Sequence, residues 1–349
     1  MTGTMVRGGI FAYVSCAGSR EIRVLRLDPE SGKLAPVQEL AVSGRVMPMA
    51  VSPDRRFLFA ALRSEPYCVA SFGIDQRTGE LTHLGMAPLP LSALFLSVDA
   101  SGRWLFTTSI PESKDRRHSV LSVTPIGPHG FVHAPRQVFR AEPKIHSILP
   151  DPTNRRVFAA SCLADQVFCY DFDAITGRMS QGSVSSVRVL PKAGPRHMAF
   201  HPNGLSFYIL NETDATLYTF DFDPGSGALT ERRIIETAPR DRPLEKLEGA
   251  DLHLTPDGRF LYASERATST LSAFALDAMG LPEPIGTFDT ERRPRGFNID
   301  PYGRYLLCAG QESHGLSVYA IDRDTGSLNR IGQYPMGEEP NWIEILRLW

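Results

Sequence analysis

His146, Arg196 and Arg295 stand at the same place in three copies of a recurring turn, six residues before its proline position. One residue further on, the matching places hold His197 and Asp251. Ten residues after the proline position stand Arg63, Glu212, Arg266 and Gln311. Gathered at one point, these side chains make an electropositive cup holding at least one carboxylate and one imidazole, in a chain of formal charge -2. A cup of that kind attracts a small anion and focuses its field. Its guanidinium forks suit phosphate, carboxylate or a developing oxyanion, and its histidine or glutamate can accept a proton from water.

A repeat brings these residues together. The string SPDRRFLF at Ser52–Phe59 returns as DASGRWLF at Asp99–Phe106, DPTNRRVF at Asp151–Phe158 and HPNGLSFY at His201–Tyr208. It returns again as TPDGRFLY at Thr255–Tyr262 and DPYGRYLL at Asp300–Leu307; the starts lie 47, 52, 50, 54 and 45 residues apart. A turn glycine recurs seven times, at Gly32, Gly79, Gly130, Gly177, Gly227, Gly280 and Gly326. Short alternating strands at a period near 50, with no helical stretch between them, mark a β-propeller. The chain is therefore predicted to be all-β: one domain over residues 1–349, a seven-bladed β-propeller with four-stranded antiparallel blades.

In the unit from Arg45 to Leu91, alternation predicts strands at Met47–Val51, Phe57–Leu62, Tyr67–Ile74 and Leu81–Met86. The third repeat is the least regular, with GPHG at Gly127–Gly130 and a basic loop at Ser113–His118. The chain begins with Ile10–Ser15, Ile22–Leu27 and Leu34–Leu40, which match the second, third and fourth strands of a unit. Trp342–Leu348 supplies the missing first strand, so the C-terminal strand joins the N-terminal blade and closes the ring without a bare edge. Innermost strands line the channel, and the second strand runs back beside the first. The columns named above therefore face one mouth.

Composition narrows the partners. No stretch concentrates basic residues as a nucleic-acid site would, and none approaches the ~20 apolar residues of a membrane span. The N-terminal run reads as blade rather than signal peptide. Five cysteines, an odd number without framework spacing, point to buried thiols in a reducing compartment and thus to the cytoplasm. A monomer or weak homodimer is expected, without a cofactor or metal. Asp251, Asn298, Glu212 and Asn211 are the oxygen donors a hard cation would need, but neighbouring arginines oppose it.

Each polar residue also has a plain structural reading. An axial arginine can simply pair with an axial carboxylate. Asp54, Asp257 and Asp300 suit turn caps, His201 sits in a turn, His314 is a weak candidate, and His253 points down the tunnel. Arg56, Arg103, Arg156, Arg259 and Arg304 recur in nearly every unit and read as architecture. The positions that do not repeat mark the site.

The segments AGPRHMAFHPNG (Ala193–Gly204), ADLHLTPDGRFLYA (Ala250–Ala263) and RPRGFNIDPYGRYLLCAG (Arg293–Gly310) closely resemble a family of seven-bladed propeller lactonases. SGRVMPMAVSPDRRFLF near the start fits as well. That family includes bacterial cytoplasmic 6-phosphogluconolactonases and fungal carboxymuconate cyclases, and the resemblance covers essentially the whole chain. It implies functional residues at His146, Arg196, Glu212 and Arg266, and a small anionic lactone, a sugar phosphate, as substrate. Hydrolysis of 6-phospho-D-glucono-1,5-lactone in the pentose phosphate pathway is the implied reaction. Arg196 and Arg266 then meet the oxyanion, His146 or Glu212 is the base with His146 the stronger candidate, and Arg295 with Arg63 or His197 takes the phosphate, with Gln311 as a further ligand of the substrate or its phosphate. Glu265, next to Arg266, is a rival for the acidic role. Two alternatives stay open: a cyclase acting on a carboxymuconate-like dicarboxylate, and a non-catalytic interaction scaffold.

Overall fold

A computed structural model describes residues 9–111, 118–182, 186–239 and 246–349. The described residues form strands and turns in seven antiparallel sheets arranged as blades. Blades 2 to 7 occupy residues 46–88, 92–141, 145–188, 195–236, 249–289 and 294–335. Blade 1 joins residues 10–41 to the C-terminal strand, in the order Pro340–Arg347, Ile10–Cys16, Glu21–Leu27, Leu34–Ala41. The predicted closure is thus the observed one, with Phe11 opposite Leu346 and Val14 opposite Ile343. Blade 4 differs from the simple four-strand plan. Its outer strand Arg178–Gln181 is four residues long, and Val187–Arg188 pairs with Gln166–Val167 instead. The basic residues Ser113–Arg117 lie outside the described residues.

The recurring glycine and arginine hold neighbouring blades together. Gly79 has φ +75, and a Cβ there would collide with the Phe11 ring of blade 1; Gly177 has φ +70, and a Cβ there would collide with the Trp104 ring of blade 3. Each outer turn therefore seats on the preceding blade, and only glycine meets both demands. Buried Tyr13, Tyr208 and Tyr262 donate to the carbonyls of Gly79, Gly280 and Gly326 at 2.9, 2.6 and 2.8 Å. Arg103, Arg156 and Arg259 donate to Ala174, Gly225 and Arg323 carbonyls in the next blade's turn. The repeated arginine is architectural, as its recurrence suggested. Asp54, Asp257 and Asp300 cap their own turns.

Closure carries much of the stability. Ile343, Ile345 and Leu348 are buried between blades 7, 1 and 2. At about 2 kcal/mol for each buried aliphatic side chain, their loss approaches the 5–15 kcal/mol of a typical folded chain. Removal of residues 340–349 is expected to abolish the cooperative transition in calorimetry. A truncated chain melting within a few degrees of the parent would contradict this.

Candidate active site

One backbone feature explains why adjacent residues both face the axis. Strand alternation should send Arg196 and His197 to opposite sides. In every blade, however, the innermost strand pair shifts register at this point, as between Pro195↔Asn211 and His197↔Leu210. The extra residue is a β-bulge, which re-aims a side chain. His146, Arg196 and Arg295 are the bulged residues of blades 4, 5 and 7.

The second strand returns beside this bulge, so its end joins the same mouth. Glu212 N–H donates to Gly194 O at 2.6 Å, and Arg266 N–H to Glu248 O at 3.1 Å. Glu212 is the hub of the cluster. Its Oε1 accepts from Arg266 Nη2 at 2.9 Å and lies 3.9 Å from Arg196 Nε. Its Oε2 pairs with Lys144 Nζ at 2.5 Å. Burial alone would raise this carboxyl, but Arg196, Lys144 and Arg266 outweigh it and hold the group far below the usual carboxylate range.

The cations outnumber that carboxylate. Arg196 is 1% exposed, and Nη1 donates to Ala250 O. Burial, then the charge of Arg266, brings its pKa down to about 10. Arg266 also reaches Glu248 O through Nε at 3.2 Å. Arg295 is pushed down by burial and by Arg196, Arg266 and Arg63, and among the described residues no hydrogen bond or ion pair to its side chain is present. Arg63 is fixed by Ser92 Oγ at 2.8 Å. Like charges gathered this closely are stable together when an anion joins them.

His146 belongs to the same mouth. It is 4% exposed and its Nδ1 is enclosed without a partner. Burial, followed by the charges of Arg196, His197, Arg295 and Lys144, holds it well below the ordinary histidine range, so the ring is neutral. Of its two nitrogens, Nε2 is the one left to meet water.

Two predicted phosphate ligands lie elsewhere. His197 packs under His146, its Nδ1 2.7 Å from Asp251 Oδ1, against the rings of Phe95 and Trp342. Burial, then Arg196, lowers it to about 4. It lines a cavity of about 580 Å³ toward the opposite mouth, with Phe95, Asp251, His253, Trp342 and Glu344. A neutral imidazole engaged by a carboxylate does not serve phosphate, so that assignment is corrected. Gln311 lies in a rim cleft of about 350 Å³ with Arg292, Arg293, Glu312, His314 and Glu339, beside the cup rather than in it. Glu265 is also reassigned. Its oxygens accept from Glu248 N, Ala267 N and Thr268, so it braces backbone and does not neutralise Arg266. Asn211 and Asn298 spend their amides on Thr216 and on Ile343 O.

Residues outside the counted columns complete the site. Lys144 and Glu248 stand eight residues before the turn's proline position, beside the carboxylate and guanidinium they engage. Period-2 alternation could have found them, since that column faces the same side as the sixth. Asn341, Trp342 and Glu344 of the closing strand also reach the axis. They escaped because the chain termini interrupt the turn from which positions were counted.

The chain matches the lactonase, seven-bladed β-propeller family over residues 9–345. It is 38% identical over 337 residues to a 6-phosphogluconolactonase of Pectobacterium carotovorum subsp. carotovorum, covering 96% of this chain and 98% of that one. With a 6-phosphogluconolactonase of Yersinia pestis it shares 36% over 334 residues, covering 95% and 97%. The solved structure of a periplasmic gluconolactonase from Pseudomonas aeruginosa superposes with a TM-score of 0.89 at 24% identity, over 97% of this chain and 100% of that one. At that identity the likeness speaks to fold alone.

Proposed function

Because the chain belongs to the lactonase family of seven-bladed β-propellers, we propose that it hydrolyses 6-phospho-D-glucono-1,5-lactone to 6-phosphogluconate. The relatives bearing that activity's name align over nearly the whole chain. The observation that carries the reading to this site is the excess of cations at one mouth, with Arg295 left for a dianion.

In this reading Arg295 and Arg63 bind the phosphate, since guanidinium forks match its oxygens. Arg196 and Arg266 receive the lactone carbonyl oxygen and stabilise the tetrahedral oxyanion, a contribution of roughly 3–4 kcal/mol per well-placed donor. His146 Nε2 takes the proton of the attacking water. Glu212 is the weaker base, because three cations hold both its oxygens; it organises the arginines instead. The bound dianion offsets the positive field around His146 and strengthens the base as substrate arrives. We also place the protein in the cytoplasm, on the strength of five cysteines that are all free thiols.

The test compares 6-phosphogluconolactone with its unphosphorylated counterpart, after subtraction of spontaneous opening. A clear preference in kcat/KM for the phosphorylated lactone is expected. Equal rates, or no turnover of either, would overturn the reading. Arg295→Met should lose roughly tenfold or more in kcat/KM for the phosphorylated lactone and leave the unphosphorylated one nearly unchanged. Equal losses on both would remove Arg295 from phosphate binding.

A further inference from the structure

A layer of rings crosses the channel. His197 of blade 5 meets Phe95 of blade 3 edge-to-face at 5.3 Å, Phe95 meets Trp342 of blade 1 at 5.3 Å, and Trp342 lies 6.0 Å from His197. The cationic cup lies on one side of this layer, and the cavity of about 580 Å³ on the other. Met49, Met198 and Phe200 are among its apolar walls. Its size falls within the roughly 300–1,000 Å³ of small-molecule sites.

The side-chain donors around this cavity are turned to the protein. Trp342 Nε1–H donates to Glu344 Oε1 at 2.9 Å, and the Asn298 amide to Ile343 O at 2.9 Å. Ser97 donates to Ile148 O at 2.7 Å and Thr255 to Asp257 Oδ1 at 2.6 Å. A carboxylate only accepts, so His197 Nδ1 at 2.7 Å and His253 Nε2 at 3.3 Å also give their hydrogens to Asp251. Lone pairs are what remain. Among the described residues no hydrogen bond reaches Oε2 of Glu344. His197 is 4% exposed, and its Nε2, an acceptor once Nδ1 carries the hydrogen, has no partner. Among the described residues no lysine or arginine lines the cavity.

Acceptors, carboxyl groups and ring faces are complemented by N–H donors, positive charge and an apolar body. We propose that this cavity is a second ligand site, distinct from the cup, for a small organic ammonium ion carrying an apolar group. The ammonium lies on Glu344 beside the Trp342 ring, and the apolar group lies among Phe95, Met198 and Phe200. Such a cation is repelled by the arginines of the cup, so the two ends of the channel select opposite charges. Burial pushes the Glu344 carboxyl up to about 7, and an ammonium beside it favours the ionised form. The site stands whether or not the chain hydrolyses lactones.

The indole N–H signal of Trp342 in NMR spectra of the full chain reads this cavity and not the cup. Trp342→Phe identifies it among the three tryptophans. Phenethylammonium, 2-phenylethanol and 3-phenylpropionate share a ring and differ in the charge of the head. The amine is expected to shift the signal and to bind at least ~tenfold more tightly than the alcohol, while the carboxylate leaves it unmoved. Glu344→Gln should weaken the amine roughly tenfold or more, the size of one charge-assisted hydrogen bond, and leave the alcohol unchanged.

Affinity of the parent for the amine should rise between about pH 6 and pH 8, as Glu344 ionises and His253 gives up its proton. Burial lowers His253, but the charge of Asp251 outweighs it and raises the ring. Asp251 stays ionised over this range because His253 and His197 outweigh its burial, and His197 stays neutral. Equal affinity for amine and alcohol, a response to the carboxylate, a flat pH profile or no shift with any probe would overturn the proposal. The parent alone decides this even if the variant fails to fold. A folded Glu344→Gln protein that binds the amine as the parent does would overturn it as well.

Discussion

His146→Ala is expected to open 6-phosphogluconolactone at least ~10²-fold more slowly in kcat than the parent, the usual effect of removing a general base. The imidazole is enclosed, neutral and faces the cations that would hold the substrate. Loss of the ring leaves the arginines and Glu212 in place, so substrate binding should change far less than kcat. The pH dependence has a definite sign. A histidine whose pKa is lowered stays neutral until the pH falls well under the ordinary value of 6.5, so the acid limb of kcat/KM should lie below that value. The unphosphorylated lactone is the better probe here, because a phosphate titrates near pH 6 itself. With the phosphorylated lactone bound, the dianion opposes the cations and the acid limb of kcat should move upward. A full-rate His146→Ala enzyme would remove this residue from the base role and return Glu212 to candidacy.

Glu212→Gln should damage both fold and rate. The carboxylate touches Arg266 and Lys144 and lies 3.9 Å from Arg196 Nε. Gln keeps the shape but removes the charge, leaving buried cations uncompensated, a defect of roughly 3–5 kcal/mol. The folded-state pKa of Glu212 is depressed, so its contribution is present above the ordinary carboxyl pKa of 4.5 and lost as pH falls through the folded value. Parent and variant should therefore differ most near neutrality and converge only in strong acid. Denaturant melts at pH 7 measure the gap. Added phosphate should restore part of the variant's stability by supplying the missing negative charge. A variant as stable as the parent at pH 7 would mean that the guanidinium groups are neutralised by something other than Glu212.

Much of this was legible because a propeller makes sequence distance into geometry. Once the period near 50 is seen, equal offsets from a turn become equal heights on the axis, and Arg196, Glu212 and Arg266 fall together. The bulge was invisible, since it depends on backbone pairing and not on residue type; it alone lets neighbours such as Arg196 and His197 both turn inward. His197 was misassigned for a related reason. Column counting gives height, but it does not tell whether a side chain joins the cations or pairs with the Asp251 carboxylate of the next blade. Glu265 misled because adjacency in sequence was taken for adjacency in charge, whereas consecutive residues at a strand's end point apart and its oxygens bind backbone. The closing strand escaped because ring closure removes the turn that numbers every other blade.

The most direct test of the account is a crystal structure of the full chain soaked with 6-phosphogluconate. The product's phosphate should lie on Arg295, with its carboxylate between Arg196 and Arg266 and within reach of His146 Nε2. Product bound instead in the opposite half of the channel, beside Trp342 and Glu344, would contradict it.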